Sequence, residues 1–116
     1  MSETAQSQII TRERLPDRRE HTVINFTTVD GFRYTAGLGY FDDGRLAEIF
    51  LNAAKVGTAI ENAARDSAIV ASFALQHGVL PDTIRHALTR NGNGDASGPL
   101  GALLDLLAAE DPEPTP

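Results

Sequence analysis

The stretch TAIENAARDSAIVASFALQHG, residues 58–78, predicts one long helix around which the rest of the chain is organised. Thr58 and Glu61 form the S/T-x-x-E pattern of a helix start, and Gly78 can take the left-handed conformation that ends a helix. Residues 68–75 carry no charge and a single hydroxyl group. A helix that is apolar nearly all round is usually buried, so we expect this one to lie in the core. The side chains expected to fill that core are Ile60, Ile69, Val70, Phe73 and Leu75.

Period-two alternation of apolar and polar residues before this helix predicts three strands, over 22–28, 32–41 and 45–53. Two shorter helical patterns follow it, one that begins near Pro81 and one over 99–109. The predicted fold class is therefore α+β: a three-stranded antiparallel meander followed by three helices packed on one sheet face.

The alternation also predicts the two turns. A three-residue loop at 29–31 pairs Phe26 with Tyr34 and keeps their side chains on one face, whereas a two-residue loop would invert the strand. For the second hairpin a two-residue turn at 43–44 agrees with the alternation. The turn residues Asp and Gly are common at such positions for conformational reasons, so we assign the paired Asp42 and Asp43 no acid–base role.

This register places three large apolar residues, Phe41, Leu46 and Phe50, on the sheet face that the helices leave uncovered. A sheet face open to water should be polar. These residues are therefore covered by the N-terminal arm or by a second copy of the chain. We favour a homodimer, because a three-stranded sheet also leaves two edges to protect.

Length and composition bound the class of protein. With 116 residues the chain forms one domain, over 12–109, between a disordered start (1–11) and an acidic, Pro-rich tail (110–116). The absence of cysteine excludes disulfides, thiolate metal sites and cysteine nucleophiles. No secretory signal or membrane-spanning stretch is visible, so we expect a cytoplasmic protein without a membrane partner. The net charge of −6 disfavours general nucleic-acid binding.

An arginine-rich arm stands near the N-terminus, with Arg12, Arg14, Arg18 and Arg19. Such an arm is either a solvated segment or a site for phosphate or an acidic partner. The three histidines lack the i, i+3 or i, i+4 spacing of a metal site, and no G-x-S-x-G elbow is present. We therefore predict no catalytic residue, no metal and no cofactor.

The loop NGNGDASG, residues 91–98, is the best candidate for a ligand site. Glycines before a helix start let backbone N–H groups approach an anion such as a nucleotide phosphate, although a flexible connector has the same composition. The single lysine could form a polar site with charged residues of the third strand, and it could equally be an ordinary surface residue. The candidate ligand-binding residues are Lys55, Arg45, Glu48, Asn91, Gly94, Ser97 and Gly98.

Four segments together resemble the TSCPD domain, which is found at the C-terminal end of vitamin B12-dependent (class II) ribonucleotide reductases and as short stand-alone proteins. They are RERLPDRR, FRYTAGLGYFDDGRLAEIFLNAAKVG, AIVASFALQHGVLPDTIRHAL and ASGPLGALLDLL, between Arg12 and Leu107. DGRLAEIF, LQHGV and SGPLGALLDLL are the most specific parts. The resemblance covers nearly the whole predicted domain.

The chain departs from that family in having no cysteine, although the family is named for a Cys-containing motif. Ribonucleotide reduction needs a cysteine radical and a pair of reducing thiols. The resemblance therefore implies a non-catalytic accessory or interaction module, related to the appended domain and without reductase activity of its own. Its partner would be a ribonucleotide reductase, another protein or a second copy; a small nucleotide- or phosphate-binding domain is the alternative.

Overall fold

A three-stranded antiparallel sheet followed by three helices forms the fold, in a computed structural model that describes residues 11–55 and 57–110. The strands lie in the order β1-β2-β3 and the helices pack against the sheet, which confirms the α+β meander. The predicted disordered start and acidic tail fall almost wholly on residues 1–10 and 111–116, outside the described residues. No described helix is long and apolar enough to cross a membrane. The elements in chain order are β1 (His21–Thr27), β2 (Arg33–Tyr40), β3 (Leu46–Ala53), α1 (Ala59–Gln76), α2 (Pro81–Ala87) and α3 (Pro99–Glu110).

The first hairpin has the predicted register, with Phe26 opposite Tyr34. The Thr28 N–H donates to the Phe32 carbonyl over 2.9 Å, which leaves a loop of three residues. Gly31 closes that loop with a φ of 90°, a conformation that glycine adopts without steric cost. The three-residue loop is therefore confirmed, because it keeps the apolar residues of both strands on the face of the core.

The second hairpin differs from the prediction near its turn. The Phe41 N–H donates to the Arg45 carbonyl over 2.9 Å and Gly44 has a φ of 90°, so the loop again has three residues rather than two. A bulge next to the turn absorbs the extra residue and sets Leu46 opposite Tyr40, against the core. The predicted position of Leu46 on the uncovered face is therefore wrong, while the rest of the strand keeps the predicted pairing.

Helix α1 faces the sheet with small residues. Its buried apolar residues recur at spacings of four, three and four, and they are Ala64, Ala68, Ala71 and Leu75. Small side chains let the helix approach the strands closely, so this stripe rather than the bulkier residues determines which face is buried. The prediction that α1 is buried all round is wrong. The large side chains expected in the core but found exposed are Ile60, Ile69, Val70 and Phe73.

Side chains of α1 cover part of the outer edge of β3. The hydroxyl of Ser72 accepts a hydrogen bond from the Ile49 N–H at 2.8 Å and lies 3.1 Å from the Ile49 carbonyl. The amide of Gln76 donates to the Ala47 carbonyl at 3.0 Å. These bonds satisfy backbone groups that an edge strand otherwise leaves unpaired.

Both ends of α1 form as the sequence predicts, with one change. The Thr58 hydroxyl accepts from the Glu61 N–H at 3.1 Å, while the Glu61 carboxylate accepts from the Gly57 N–H at 2.8 Å instead of from Thr58. Gly78, with a φ of 90°, follows the last residues of the helix. The start and stop signals therefore place the helix within two residues at either end.

A carboxylate on α3 ties the second half of the domain together. Asp105 accepts two hydrogen bonds from Arg90, at 2.7 and 2.8 Å, and a longer one of 3.4 Å from Arg85 on α2. The hydrogen bond from Arg90, more than any other contact, lowers the pKa of Asp105 below its ordinary value. This cluster fixes α2 and the loop after it to α3, whose buried residues include Leu103.

Candidate functional site

An apolar patch on the outward face of α1 consists of Ile69, Val70 and Phe73, which are 52%, 68% and 46% exposed. Spacings of four and three residues place Ile69 and Val70 next to Phe73 on the helix surface. We call these three residues the α1 patch. The guanidinium of Arg12 lies 4.6 Å from the centre of the Phe73 ring. Contiguous exposed apolar residues of this kind mark sites of protein contact.

The N-terminal arm begins beside the α1 patch and is bonded to the domain. The Glu13 N–H donates to the Gln76 carbonyl over 2.6 Å, and the Arg12 side chain donates to the amide oxygen of Gln76. The carboxylate of Glu13 accepts from Arg45 at 2.9 Å. Part of the arm is thus held by internal contacts, and Arg12 forms one rim of the α1 patch.

The C-terminal end of the arm, at Arg19, is bonded to the sheet face that points away from the helices. Glu48 is only 7% exposed there, and the Arg19 guanidinium bonds to its carboxylate. This hydrogen bond is the main cause that raises the pKa of Arg19. Gly39 leaves the space for Glu48, since a Cβ at that position would lie 2.6 Å from the Glu48 Cγ atom. Glu48 therefore serves as the partner of a partly buried ion pair.

The three residues predicted as a dimer interface do not form one patch. Phe41 is 5% exposed and lies under the guanidinium of Arg45, 4.5 Å from the ring centre. Leu46 packs on the core. Phe50 is 50% exposed, and its ring stacks on that of His21 with ring centres 6.5 Å apart. The bulge in β3 is the physical reason, because it moves Leu46 to the other face.

The candidate ligand residues on and near β3 are also separated. Arg45 and Lys55 lie at opposite ends of this eight-residue strand, which is about 26 Å long. The Arg45 guanidinium bonds to Asp43 at 2.7 Å and to Glu13. Lys55 is exposed, and Glu48 is paired on the back of the sheet. These residues do not converge on one ligand.

The glycine-rich loop uses many of its own N–H groups. Asn91 donates to the Asp95 carbonyl at 2.8 Å, and Gly94 donates to the Asn91 carbonyl at 2.9 Å. Asp95 donates to the side chain of Asn93, and Ser97 donates to the Thr89 carbonyl, both at 3.0 Å. The loop is therefore a small hairpin rather than an open cradle for an anion, and Gly98 leads from it into α3.

Of the grooves on the described residues, two bear on the candidate sites. The smaller, of about 390 Å³, lies beside the loop; it contains Asp30, Tyr34 and Ser97 and no lysine or arginine among its lining residues. The larger, of about 810 Å³, runs between the second turn, the link from α1 to α2 and the end of α3. No sequence pattern indicated the larger groove, because segments far apart in the chain form its walls. Among the described residues, no group of three or more His, Asp or Glu is placed to hold a metal ion.

The sequence contains a pattern that could have predicted the α1 patch. The spacing of Ala64, Ala68, Ala71 and Leu75 defines one face of a helix, and the opposite face contains Ile69, Val70 and Phe73. Side-chain size alone favours burial of the large residues, whereas the spacing of the alanines favours the opposite face. The close packing of alanines against β3 then leaves the large residues outside.

Comparison with known proteins finds partial similarity to two curated proteins, both named vitamin B12-dependent ribonucleotide reductase. The protein of Bradyrhizobium diazoefficiens is 38% identical over 78 residues, which are 67% of this chain and 6% of that protein. The protein of Agrobacterium fabrum is 40% identical over 68 residues, which are 59% of this chain and 5% of that protein. No family model and no solved structure matches. The chain is therefore similar to a small segment of these much longer proteins.

Proposed function

We propose that this chain is a TSCPD-like accessory module that binds a vitamin B12-dependent ribonucleotide reductase through the α1 patch. The observation that carries the proposal is the exposure of Ile69, Val70 and Phe73 on one face of a helix whose other face is packed. The partial similarity to such reductases suggests the partner. A module related to a segment of a longer enzyme can retain the surface by which that segment contacts the rest.

The chemistry of the chain supports a non-catalytic role. Its sequence has no cysteine, so it cannot supply the thiols that ribonucleotide reduction requires. Several of its charged side chains are used in internal pairs, among them Arg19 with Glu48 and Arg90 with Asp105. The reductase would carry out the reaction, and the module would act on its assembly or its regulation.

The rim of the α1 patch is suited to a protein partner. Phe73 is its aromatic member, and aromatic side chains commonly contribute much of the binding free energy of an interface. Arg12 lies over one side of the ring, where its guanidinium can also bond to a carboxylate of the partner. The partner surface should therefore be apolar with an acidic residue at its edge.

A binding assay between the purified chain and a B12-dependent reductase tests this proposal. Val70→Asp should weaken binding at least about tenfold, because burying a valine contributes about 1.5–3 kcal/mol and a carboxylate is costly in an apolar interface. The matched control is Val29→Asp, since Val29 is 71% exposed and lies in the first turn, away from α1. Equal affinities of the two variants, or no binding by the unchanged chain, would contradict the proposal.

Nucleotide or phosphate binding remains the second candidate, with less structural support. The groove beside the glycine-rich loop has Asp30 in its lining and no cationic side chain, so its charge opposes an anion. Several N–H groups of the loop are already bonded within it. Calorimetric titration with nucleotides tests this function, and a signal lost in Ser97→Ala would favour it over the protein-binding role.

A further inference from the structure

Within residues 11–55 and 57–110, no segment pairs with the outer edge of strand β1. In the first hairpin the Thr28 N–H bonds to the Phe32 carbonyl, so the even-numbered residues of β1 direct their backbone groups to β2. The N–H and C=O groups of the odd-numbered residues then point away from the sheet. These residues are His21, Val23, Asn25 and Thr27.

The two edges of the sheet differ, because α1 bonds to part of the β3 edge and to none of the β1 edge. On β3, the outward groups of Ala47 and Ile49 are bonded by side chains of α1. On β1, no backbone group of the four odd-numbered residues has a hydrogen bond to any other segment of residues 11–55 and 57–110. A row of unpaired N–H and C=O groups is a template for another strand.

The usual protection against edge-to-edge pairing is missing from β1. Its sequence, HTVINFT, contains no proline, no lysine and no other permanently charged residue, and its register has no bulge. Val23 is 68% exposed beside the free edge. Although the chain carries a net charge of −6, two copies of this strand can lie side by side without bringing like charges together.

We propose that a second copy of this chain pairs with β1, antiparallel, about a two-fold axis at Ile24. Ile24 is the middle residue of the seven-residue strand, so this register overlaps the strand with its copy from end to end. It sets odd-numbered residues opposite odd-numbered residues, as the outward backbone groups require, and forms about eight hydrogen bonds. The product is a six-stranded sheet with all helices on one face.

Side chains fit this register on both faces. Ile24 is partly buried at the border of the core, and it meets Ile24 of the second copy, so the two cores become continuous across the axis. Phe26 faces Thr22 of the copy on the same side. On the other face, Val23 lies opposite Asn25 of the copy, and part of its exposed surface is covered.

Hydrogen exchange on the unchanged chain gives the first test. In a monomer the amides of Val23, Asn25 and Thr27 should exchange fast while those of Ile24 and Phe26 are protected by β2. In the dimer all five should be protected, and the added protection should rise with protein concentration. Sedimentation should show a mass twice the 12.4 kDa of the chain at high concentration. Fast exchange at the odd positions together with a mass of 12.4 kDa at every concentration would overturn the proposal.

A proline pair supplies matched variants. Val23→Pro removes an N–H that β2 does not use and places the ring at the free edge, so it should abolish the dimer and keep the fold. Val29→Pro is the control: Val29 is equally exposed, and it is the second residue of a turn, where proline is favoured. The control should keep the dimer. A dimer that survives Val23→Pro, or that dissociates in Val70→Asp, would refute pairing at this edge.

A crosslink tests the register without depending on the proline variants. The chain has no cysteine, so Ile24→Cys introduces a single thiol. Directly opposite residues that do not exchange hydrogen bonds have Cα atoms about 4.5 Å apart, which a disulfide can span. Oxidation should therefore crosslink Ile24→Cys rapidly and Val29→Cys slowly. Equal rates would rule out an axis at Ile24, whether or not the reductase binds the α1 patch.

Discussion

The hydrogen bonds of the Ser72 hydroxyl to the edge of β3 should contribute measurably to the stability of the fold. The hydroxyl accepts a hydrogen bond from the Ile49 N–H at 2.8 Å and also lies within bonding distance of the Ile49 carbonyl. Ile49 is 1% exposed, so water cannot easily replace the hydroxyl. We predict that Ser72→Ala lowers the free energy of unfolding, because it leaves a buried backbone N–H without a partner.

The magnitude follows from two opposing effects. A buried donor left without its partner costs about 1–3 kcal/mol. Alanine is a better helix former than serine by roughly 0.5 kcal/mol, which offsets part of that cost. The net loss for Ser72→Ala should therefore be about 0.5–2.5 kcal/mol, and the melting temperature should fall by roughly 4–8 °C for each kcal/mol lost in a domain of this size.

The same helix contains the control. Ser67 donates to the carbonyl of Ala64, within α1, at 2.8 Å and makes no bond to the sheet. Ser67→Ala should therefore leave stability unchanged or raise it by about 0.5 kcal/mol. Urea denaturation of both variants measures the difference, and hydrogen exchange should show lost protection at the Ile49 amide in Ser72→Ala alone. If the two variants are equally stable, the hydroxyl does not close the edge, and the contrast with the free edge of β1 loses its basis.

Two further predictions concern the ion pairs. Gly39→Ala should destabilise the fold by about 1–3 kcal/mol in chemical denaturation, because the new Cβ would lie 2.6 Å from the Glu48 Cγ atom. The control is Gly37→Ala, which should destabilise the fold less, because its Cβ would meet its nearest neighbour at 3.5 Å. Equal losses would mean that Glu48 moves aside freely. Hydrogen bonding from Arg90 lowers the pKa of Asp105 below its ordinary value of 3.8. The ionised carboxylate therefore stabilises the fold at pH values above 3.8, and this stabilisation is lost as the pH falls through the folded-state pKa. Asp105→Asn should therefore flatten the acid limb of a stability–pH curve below about pH 4, and an unchanged limb would exclude this carboxylate as a source of acid sensitivity.

Local patterns were sufficient for the sheet except near its second turn. The alternation of Phe26 and Tyr34 with polar neighbours predicted the register of the first hairpin, because a shift by one residue would turn every core residue to water. The ends of α1 were readable for a similar reason, since Thr58, Glu61 and Gly78 act within a single turn of the chain. The three-residue turn at Gly44 was missed because a bulge restored the expected pairing beyond it.

Local sequence patterns did not predict which candidate site residues come together in space. Lys55, Arg45 and the loop residues from Asn91 to Gly98 were grouped by chemical type, and the structure separates them along and across the sheet. Phe41 and Phe50 were grouped by strand register, and the bulge places Leu46 elsewhere. A site needs side chains to converge in space, and convergence depends on packing between segments that are distant in the chain.

By itself the sequence determined the order of the elements, the strand register and the limits of the main helix, because each depends on residues within a few positions of one another. Only the tertiary structure decided which face of α1 is buried. Both faces are apolar, and the choice falls to Ala64, Ala68 and Ala71 because small side chains permit the closest contact with β3. That contact brings Ser72 and Gln76 to the β3 edge of the sheet and turns the large apolar residues of α1 outward, while the β1 edge has no partner among residues 11–55 and 57–110.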